Sequence, residues 1–162
     1  GHGRATVDSH ISLPSIQNRR NELERTDFVP FRALRDMPLG MTAHVVFSDI
    51  DPTRPATLSP VIVSDVIRGD IGFNGLLITD DICMSALQGS LLERAQASLS
   101  AGCDIILHCS GKLSEMKELE GGIPKMGDSS WRRAERAAQF STTQFAKMDL
   151  EMAQKELVRL MA

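Results

Sequence analysis

Three short apolar runs interrupt an otherwise mixed chain: Met41-Thr42-Ala43-His44-Val45-Val46-Phe47, Leu76-Leu77-Ile78-Thr79 and Asp104-Ile105-Ile106-Leu107-His108. They are continuous rather than alternating and rich in β-branched residues, the pattern of strands covered on both faces. Between them the apolar spacing turns helical. Ser59 is placed to cap, and Pro60 to open, a helix in which Val61, Ile62, Val66 and Ile67 share a face up to Gly69. A second helix is expected over residues 85–100, with Leu92, Ala95 and Leu99 on one face and Gly102 as its stop. This alternating order predicts a parallel sheet with right-handed crossovers.

The flanks are less regular. Residues 1–20 are polar and contain Gly, Ser, Pro and Asn, and read as a long loop, of the kind that is either functional or disordered. Leu23 to Leu34 reads as a helix interrupted at Pro30. From Ser129 the chain reads as helical to its end, with Arg132, Arg133, Glu135 and Arg136 beside Ala134, Ala137, Ala138 and Phe140. Leu150, Ala153, Leu157 and Leu160 then mark a final amphipathic helix. Three strands do not close a barrel, and a (β/α)8 barrel takes ~250 residues. The fold class expected is α/β, as a piece of a larger parallel architecture. The opening Gly1-His2-Gly3, without an initiating Met, agrees with a partial domain over 1–162.

Composition narrows the function. The 162 residues are 42% hydrophobic and 24% charged, with 18 Lys+Arg against 21 Asp+Glu and a net charge of −3. Binding of nucleic acid through bulk positive charge is excluded. No apolar run reaches the roughly 18–20 residues that span a bilayer, so no membrane partner is expected. Cys83, Cys103 and Cys109 are odd in number and form no CxxC, which argues against a disulfide framework or a zinc cluster and for a reducing cytosol.

Ligands of parallel α/β proteins sit at the carboxyl ends of strands. The second strand ends in Thr79-Asp80-Asp81. Neighbouring residues at a strand end point opposite ways, so one of the two carboxylates faces a site. The other reading is that Asp81 caps a helix beginning near Met84. Asp8-Ser9-His10 sets a carboxylate two residues from an imidazole, a spacing that fixes the tautomer and raises the basicity of the far nitrogen, as a general acid/base requires. His44 and His108 lie in or beside strands and read as hydrogen-bonded rim or core residues. Cys103 and Cys109 bracket the third strand and read as small buried hydrophobes. Asp80, Asp81 and a histidine could hold a divalent ion, but no HxxxH, HxH or CxxC supports it. A magnesium-dependent phospho-acceptor domain would carry its Asp pair on the first strand with four strands after it. No metal and no cofactor are expected.

Several blocks, in order, resemble glycoside hydrolase family 3, and within it the bacterial β-N-acetylglucosaminidases of the NagZ type. Gly1-His2-Gly3-Arg4-Ala5-Thr6-Val7-Asp8-Ser9-His10, with Leu13-Pro14, is similar to the loop after that barrel's fifth strand. Pro30-Phe31-Arg32-x-Leu34 is similar to the helix before the sixth strand, and Met41-Thr42-Ala43-His44-Val45 to that strand. Pro55-Ala56-Thr57-Leu58-Ser59-Pro60 resembles the next helix start. Gly72-Phe73-Asn74-Gly75-Leu76-Leu77-Ile78-Thr79-Asp80-Asp81-Ile82-Cys83-Met84 resembles the seventh strand, with Thr79 where Ser is commoner. Ala101-Gly102-Cys103-Asp104-Ile105-Ile106-Leu107-His108-Cys109 resembles the eighth.

The resemblance covers residues 1–110 and implies the last three strands of a (β/α)8 TIM barrel. It implies retaining hydrolysis with Asp80 as nucleophile and His10, paired with Asp8, as acid/base. The implied substrate is a cytoplasmic, peptidoglycan-derived N-acetylglucosaminyl-(anhydro)muramyl peptide. The sugar-gripping groups would lie in an N-terminal half of the same barrel. On this reading residues 1–20 are the catalytic loop and 129–162 the C-terminal helices. A family 3 phosphorylase with a His acid/base, or a non-catalytic α/β fragment, are the competing readings. Taken alone, residues 1–162 are expected to be inactive and to expose Val45, Phe47, Leu77, Ile105 and Leu107.

Overall fold

The computed structural model describes residues 3–141 and 149–161. Gly1 and His2, which open the first block of the resemblance, and 142–148 and Ala162, read as helix, lie outside the described residues. The chain forms β1 (Ser15–Ile16), α1 (Arg20–Arg25), α2 (Val29–Ala33), β2 (Leu39–Met41), β3 (Val46–Phe47) and β4 (Asp51–Pro55). A 3₁₀ turn (Ala56–Leu58) and a wide π-type helix (Ile62–Asp70) follow. Then come β5 (Leu76–Asp81), α3 (Leu91–Ala101), β6 (Ile105–Leu107), α4 (Leu113–Gly122), α5 (Asp128–Ser141) and α6 (Leu150–Met161).

The architecture is α/β, with helices beside parallel strands. One sheet, ordered β2-β5-β6, is wholly parallel. The second, ordered β1-β3-β4, has β1 parallel and β4 antiparallel to β3. That second sheet was not expected: β1 lies inside the predicted loop 1–20, and polar β4 shows no apolar alternation.

The predicted strand 41–47 is divided between the two sheets. Met41 pairs with Ile78, and the Thr42 N–H still donates to the Ile78 carbonyl at 2.9 Å. The Val45 N–H then turns back to the Ala43 carbonyl (2.9 Å), and the Val46 N–H donates to the Pro14 carbonyl (2.9 Å). This tight turn passes the chain from one sheet to the other and leaves His44 fully buried.

Other boundaries moved for identifiable reasons. Pro30 opens α2 rather than interrupting a longer helix, since a proline ring is tolerated only in the first turn. Ser59 Oγ accepts the Ile62 N–H as expected, but the helix it opens runs to Asp70 in π form, with the Ile71 N–H on the Val66 carbonyl. The helix expected from residue 85 starts at Leu91, where Ser90 and Glu93 form a reciprocal capping box. Gly102, at φ 109°, stops it as expected. β5 is two residues longer than predicted, so Asp80 and Asp81 belong to the strand itself.

The main core gathers Leu23, Val45, Ile62, Val66, Phe73 and Leu77 among others between strands and helices. A smaller one joins Ile82, Leu87, Ala95 and Leu119. Gly75 permits close packing here: a Cβ would come within 2.5 Å of the Met37 carbonyl. The expected exposure of the strand residues is corrected at Val45 and Leu77, which are buried, while Phe47, Ile105 and Leu107 are half-buried. The exposed apolar strand residues are instead Leu39 and Met41, on β2, whose other edge has no described strand beside it. They border an apolar groove of about 550 Å³ with Phe31, Leu34 and Phe73. Asp80 and Asp81 do not line that groove.

Candidate active site

β5 runs through the middle of the parallel sheet, and its two ends differ in chemistry. At the amino end the Leu77 N–H donates to Asp104 Oδ2 at 2.9 Å, and Arg68 and Arg133 each reach that carboxylate at 2.9 Å. Burial alone would push Asp104 up, but bonds from Ser130 and the Leu77 N–H, with the charges of Arg133 and Arg68, outweigh it and hold Asp104 below the ordinary carboxylate range.

The carboxyl end is built around an irregularity. Ile78 pairs with Ile105 and Asp81 with Leu107, so β5 carries one residue more than β6 over this stretch. Thr79, fully buried, accepts the Leu107 N–H on its Oγ1 at 2.9 Å. Such a bulge re-aims the side chains beside it. Asp81 Oδ1 accepts the N–H groups of Cys83 (3.0 Å) and Cys109 (3.1 Å), tying the turn after β5 to the exit of β6. Asp81 therefore caps that turn rather than a helix near Met84. The hydrogen bond described for the Asp80 carboxylate comes from the Asp81 N–H at 2.8 Å, and the side chain is half-buried.

Beneath them His44 anchors the strand end, a role its sequence position does not disclose. Its Nε2 lies 2.9 Å from the Asp81 carbonyl, which can only accept, so Nε2 carries the proton. Nδ1 then accepts from Thr57 Oγ1 at 2.8 Å, and Thr57 accepts from Thr42 at 2.9 Å. Desolvation holds His44 below its ordinary value, so it stays neutral and keeps this tautomer. Arg94 adds a second anchor through the carbonyls of Ile82 (2.9 Å) and Met84 (3.3 Å).

The loop before β1 brings Asp8 and His10 together as their spacing predicts. His10 Nδ1–H donates to Asp8 Oδ1 at 2.8 Å, and the His10 backbone N–H reaches the same oxygen at 2.9 Å. Ser9, between them, is fully buried and pins the loop, while the His10 and Asp8 side chains are 73% and 58% exposed. The Asp8 hydrogen bond and charge raise the His10 pKa above its ordinary value, and the charges of Asp80 and Asp81 act in the same direction. The structure thus places the imidazole in the field of both strand-end carboxylates. With Nδ1 committed to Asp8, Nε2 is the nitrogen available to exchange a proton.

The remaining singled-out residues divide. His108 follows β6 and bonds Glu115 at 3.0 Å; Glu115 was not singled out, because their meeting depends on how α4 packs. Cys103 is buried, and desolvation pushes its thiol up to about 12. Cys109 is exposed, which corrects its reading as a buried hydrophobe: the chain has already left the sheet there. No helix among the described residues is long and apolar enough to cross a membrane.

Residues 1–139 match the family described as Glycosyl hydrolase family 3 N terminal domain. A beta-hexosaminidase of Alkalilimnicola ehrlichii is 44% identical over 114 residues, covering 68% of this chain and 32% of that protein. A beta-hexosaminidase of Tolumonas auensis is 41% identical over 128 residues, covering 75% and 37%. The chain spans about a third of the length of these curated relatives. Among solved structures, NagZ from Neisseria gonorrhoeae in complex with N-trifluoroacetyl-D-glucosamine matches with TM-score 0.71 and 35% identity, over 89% of this chain and 45% of that one. A glycoside hydrolase family 3 beta-N-acetylglucosaminidase from Paenibacillus sp. str. FPU-7 matches with TM-score 0.72 and 28% identity, over 93% and 32%. With its parallel strands, its strand-end aspartates and a match over most of its length, the chain belongs to glycosyl hydrolase family 3.

Proposed function

We propose that residues 1–162 supply the last three strands, and their helices, of a (β/α)8 barrel in a retaining hydrolase that removes β-linked N-acetylglucosamine. The loop before β1 that carries Asp8 and His10 is its catalytic loop, and α5 and α6 are its C-terminal helices. The observation that carries this reading is the Asp8–His10 pair, joined at 2.8 Å and raised in pKa by Asp80 as well as by Asp8. An acid whose protonated form is favoured and a carboxylate with a single described donor at a strand end are the two groups that glycoside cleavage requires.

In the first step the Asp80 carboxylate bonds to the anomeric carbon. The glycosidic C–O bond breaks toward the leaving oxygen, which takes the proton from His10 Nε2. In the second step His10 Nε2 removes a proton from water, the water oxygen bonds to the anomeric carbon, and Asp80 leaves as a carboxylate. A histidine acid avoids a second anion about 5 Å from the nucleophile, the spacing of the usual carboxylate pair. Asp8 orients the ring and stabilises the imidazolium. The N-acetyl specificity is supported by the relative solved with N-trifluoroacetyl-D-glucosamine. The proposed substrates are peptidoglycan-derived muropeptides in the cytoplasm, with the sugar-gripping groups supplied by an N-terminal half of the same barrel.

The test is a mechanism-based fluorinated N-acetylglucosaminide applied to the intact protein. Fragmentation should place the sugar on Asp80. Label on Asp81 overturns the assignment, and phosphate-dependent release of a sugar 1-phosphate overturns hydrolysis in favour of phosphorolysis.

A further inference from the structure

Cys83, His108 and Glu115 come from three separate places: the turn after β5, the residue after β6 and the first turn of α4. One donor atom from each lies within 4.8 Å of the other two. Only 8% of the His108 side chain is exposed. Its Nε2 lies 3.0 Å from Glu115 Oε2 and 3.1 Å from Ser110 Oγ, whereas its Nδ1 is buried with no hydrogen-bond partner among the described residues. With no partner of its own, Nδ1 can carry the ring proton and leave Nε2 as the lone pair offered to an ion. Nε2, set 3.0 Å from the carboxylate of the same trio, is the nitrogen turned toward Glu115, so Glu115 exchanges that hydrogen bond for a metal bond.

We infer that Cys83, His108 and Glu115 form a binding site for a thiophilic divalent cation, Zn²⁺ being the ion that suits the donors. A thiolate, an imidazole and a carboxylate exclude Mg²⁺ and Ca²⁺, which take oxygen ligands. They match zinc, at roughly 2.3 Å to sulfur and roughly 2.0–2.2 Å to nitrogen and oxygen. Tetrahedral bonds of that length set the donors about 3.5 Å apart, a closure of about 1 Å for half-buried side chains. Three protein ligands leave the fourth position to water. As the metal–sulfur bond forms it replaces the Cys83 S–H bond, and the proton leaves to solvent.

The ion binds apart from the catalytic pair, since neither Asp80 nor His10 belongs to the trio. It links the same two segments that Asp81 Oδ1 already joins through the N–H groups of Cys83 and Cys109. Sequence spacing does not disclose such a site, because its donors come from separate elements. The proposed site departs from the expectation of no metal drawn from the missing CxxC and HxH spacings, and the titration decides between the two.

The experiment takes the intact protein, stripped with a chelator, and titrates it with Zn²⁺ against a chromophoric competitor and with Co²⁺ by absorption. The expected result is one equivalent of either ion and a thiolate-to-cobalt charge-transfer band. Cys83→Ser, close to isosteric, should abolish that band and weaken Zn²⁺ by more than the roughly 10–100-fold that loss of an outer partner costs. His108→Ala and Glu115→Gln should each weaken Zn²⁺ as well. In chelator the Cys83→Ser protein should melt with the parent, and added Zn²⁺ should stabilise the parent alone. Absence of stoichiometric uptake, or a cobalt spectrum without sulfur character, overturns the site. So does uptake that survives Cys83→Ser and is lost in His10→Ala, which would place the ion on the acid/base loop.

Discussion

Asp80, in the carboxyl end of central strand β5, and Asp104, which precedes β6 and binds the amino end of β5, are held in opposite ways. Asp104, with 2% of its side chain exposed, receives Arg68, Arg133, Ser130 and the Leu77 N–H. Asp80 is half-buried, and the bond described for it is a single neighbouring N–H. A carboxylate surrounded by donors is stabilised as an anion and loses nucleophilicity. One with a single donor keeps lone pairs for an electrophile. The contrast separates a structural aspartate from a chemical one, although both flank apolar runs in the sequence.

The sharpest way to break this contrast is Asp80→Asn in the intact protein. Hydrolysis of an aryl N-acetylglucosaminide should fall by on the order of 10⁴-fold or more, as when a covalent nucleophile is lost. The melting temperature should hold. A variant that turns over normally would strip Asp80 of its chemical role.

His10→Ala should follow, with a loss of roughly 10²–10⁴-fold on a poor leaving group and far less on an activated aryl glycoside. Equal losses on both would show that His10 is not the proton donor.

Asp104→Asn should behave in the converse way, leaving turnover per folded molecule intact and removing about 3 kcal/mol of stability by denaturant unfolding. That is the low end for a broken buried pair, because Arg68 and Arg133 keep 16% and 22% exposure. The native carboxyl titrates below its ordinary 3.8, so its stabilisation is complete above that value and is lost as the pH falls through the lowered one. Parent and variant stabilities should therefore converge in acid. A constant gap down to low pH would contradict the charge argument.

The smallest expected effect is on the pH profile. His10 titrates above its ordinary 6.5 because of Asp8 first and the strand-end carboxylates second, so the acid form survives to higher pH. Asp8→Ala should move the alkaline limb of kcat/KM to lower pH. An unmoved limb would assign it to another group.

What the sequence disclosed and what it hid follow a physical line. The α3 stop at Gly102, the Ser59 cap, the β5 run and the Asp8–His10 spacing are local, and each was legible. The division of 41–47 was not, because Pro14 and Ile78 compete for its backbone from distant segments. Polar β4 and α4, which buries only Leu119 among its residues, lack a hydrophobic period to read. At the site, Asp80 and Asp81 were visible as charges after an apolar run. The His44 bond to the Asp81 carbonyl spans 37 residues and could only be seen in the fold.

That bond has a bearing on transplanting the site. His44 grips a main-chain carbonyl, so it senses where the strand ends and is indifferent to the side chain at 81. A designer moving only Asp80, Asp8 and His10 into another barrel would carry the reacting groups without the clamp that holds the strand end bearing Asp80. The portable unit includes Thr42, His44 and Thr57, a relay whose proton directions are set by that one carbonyl.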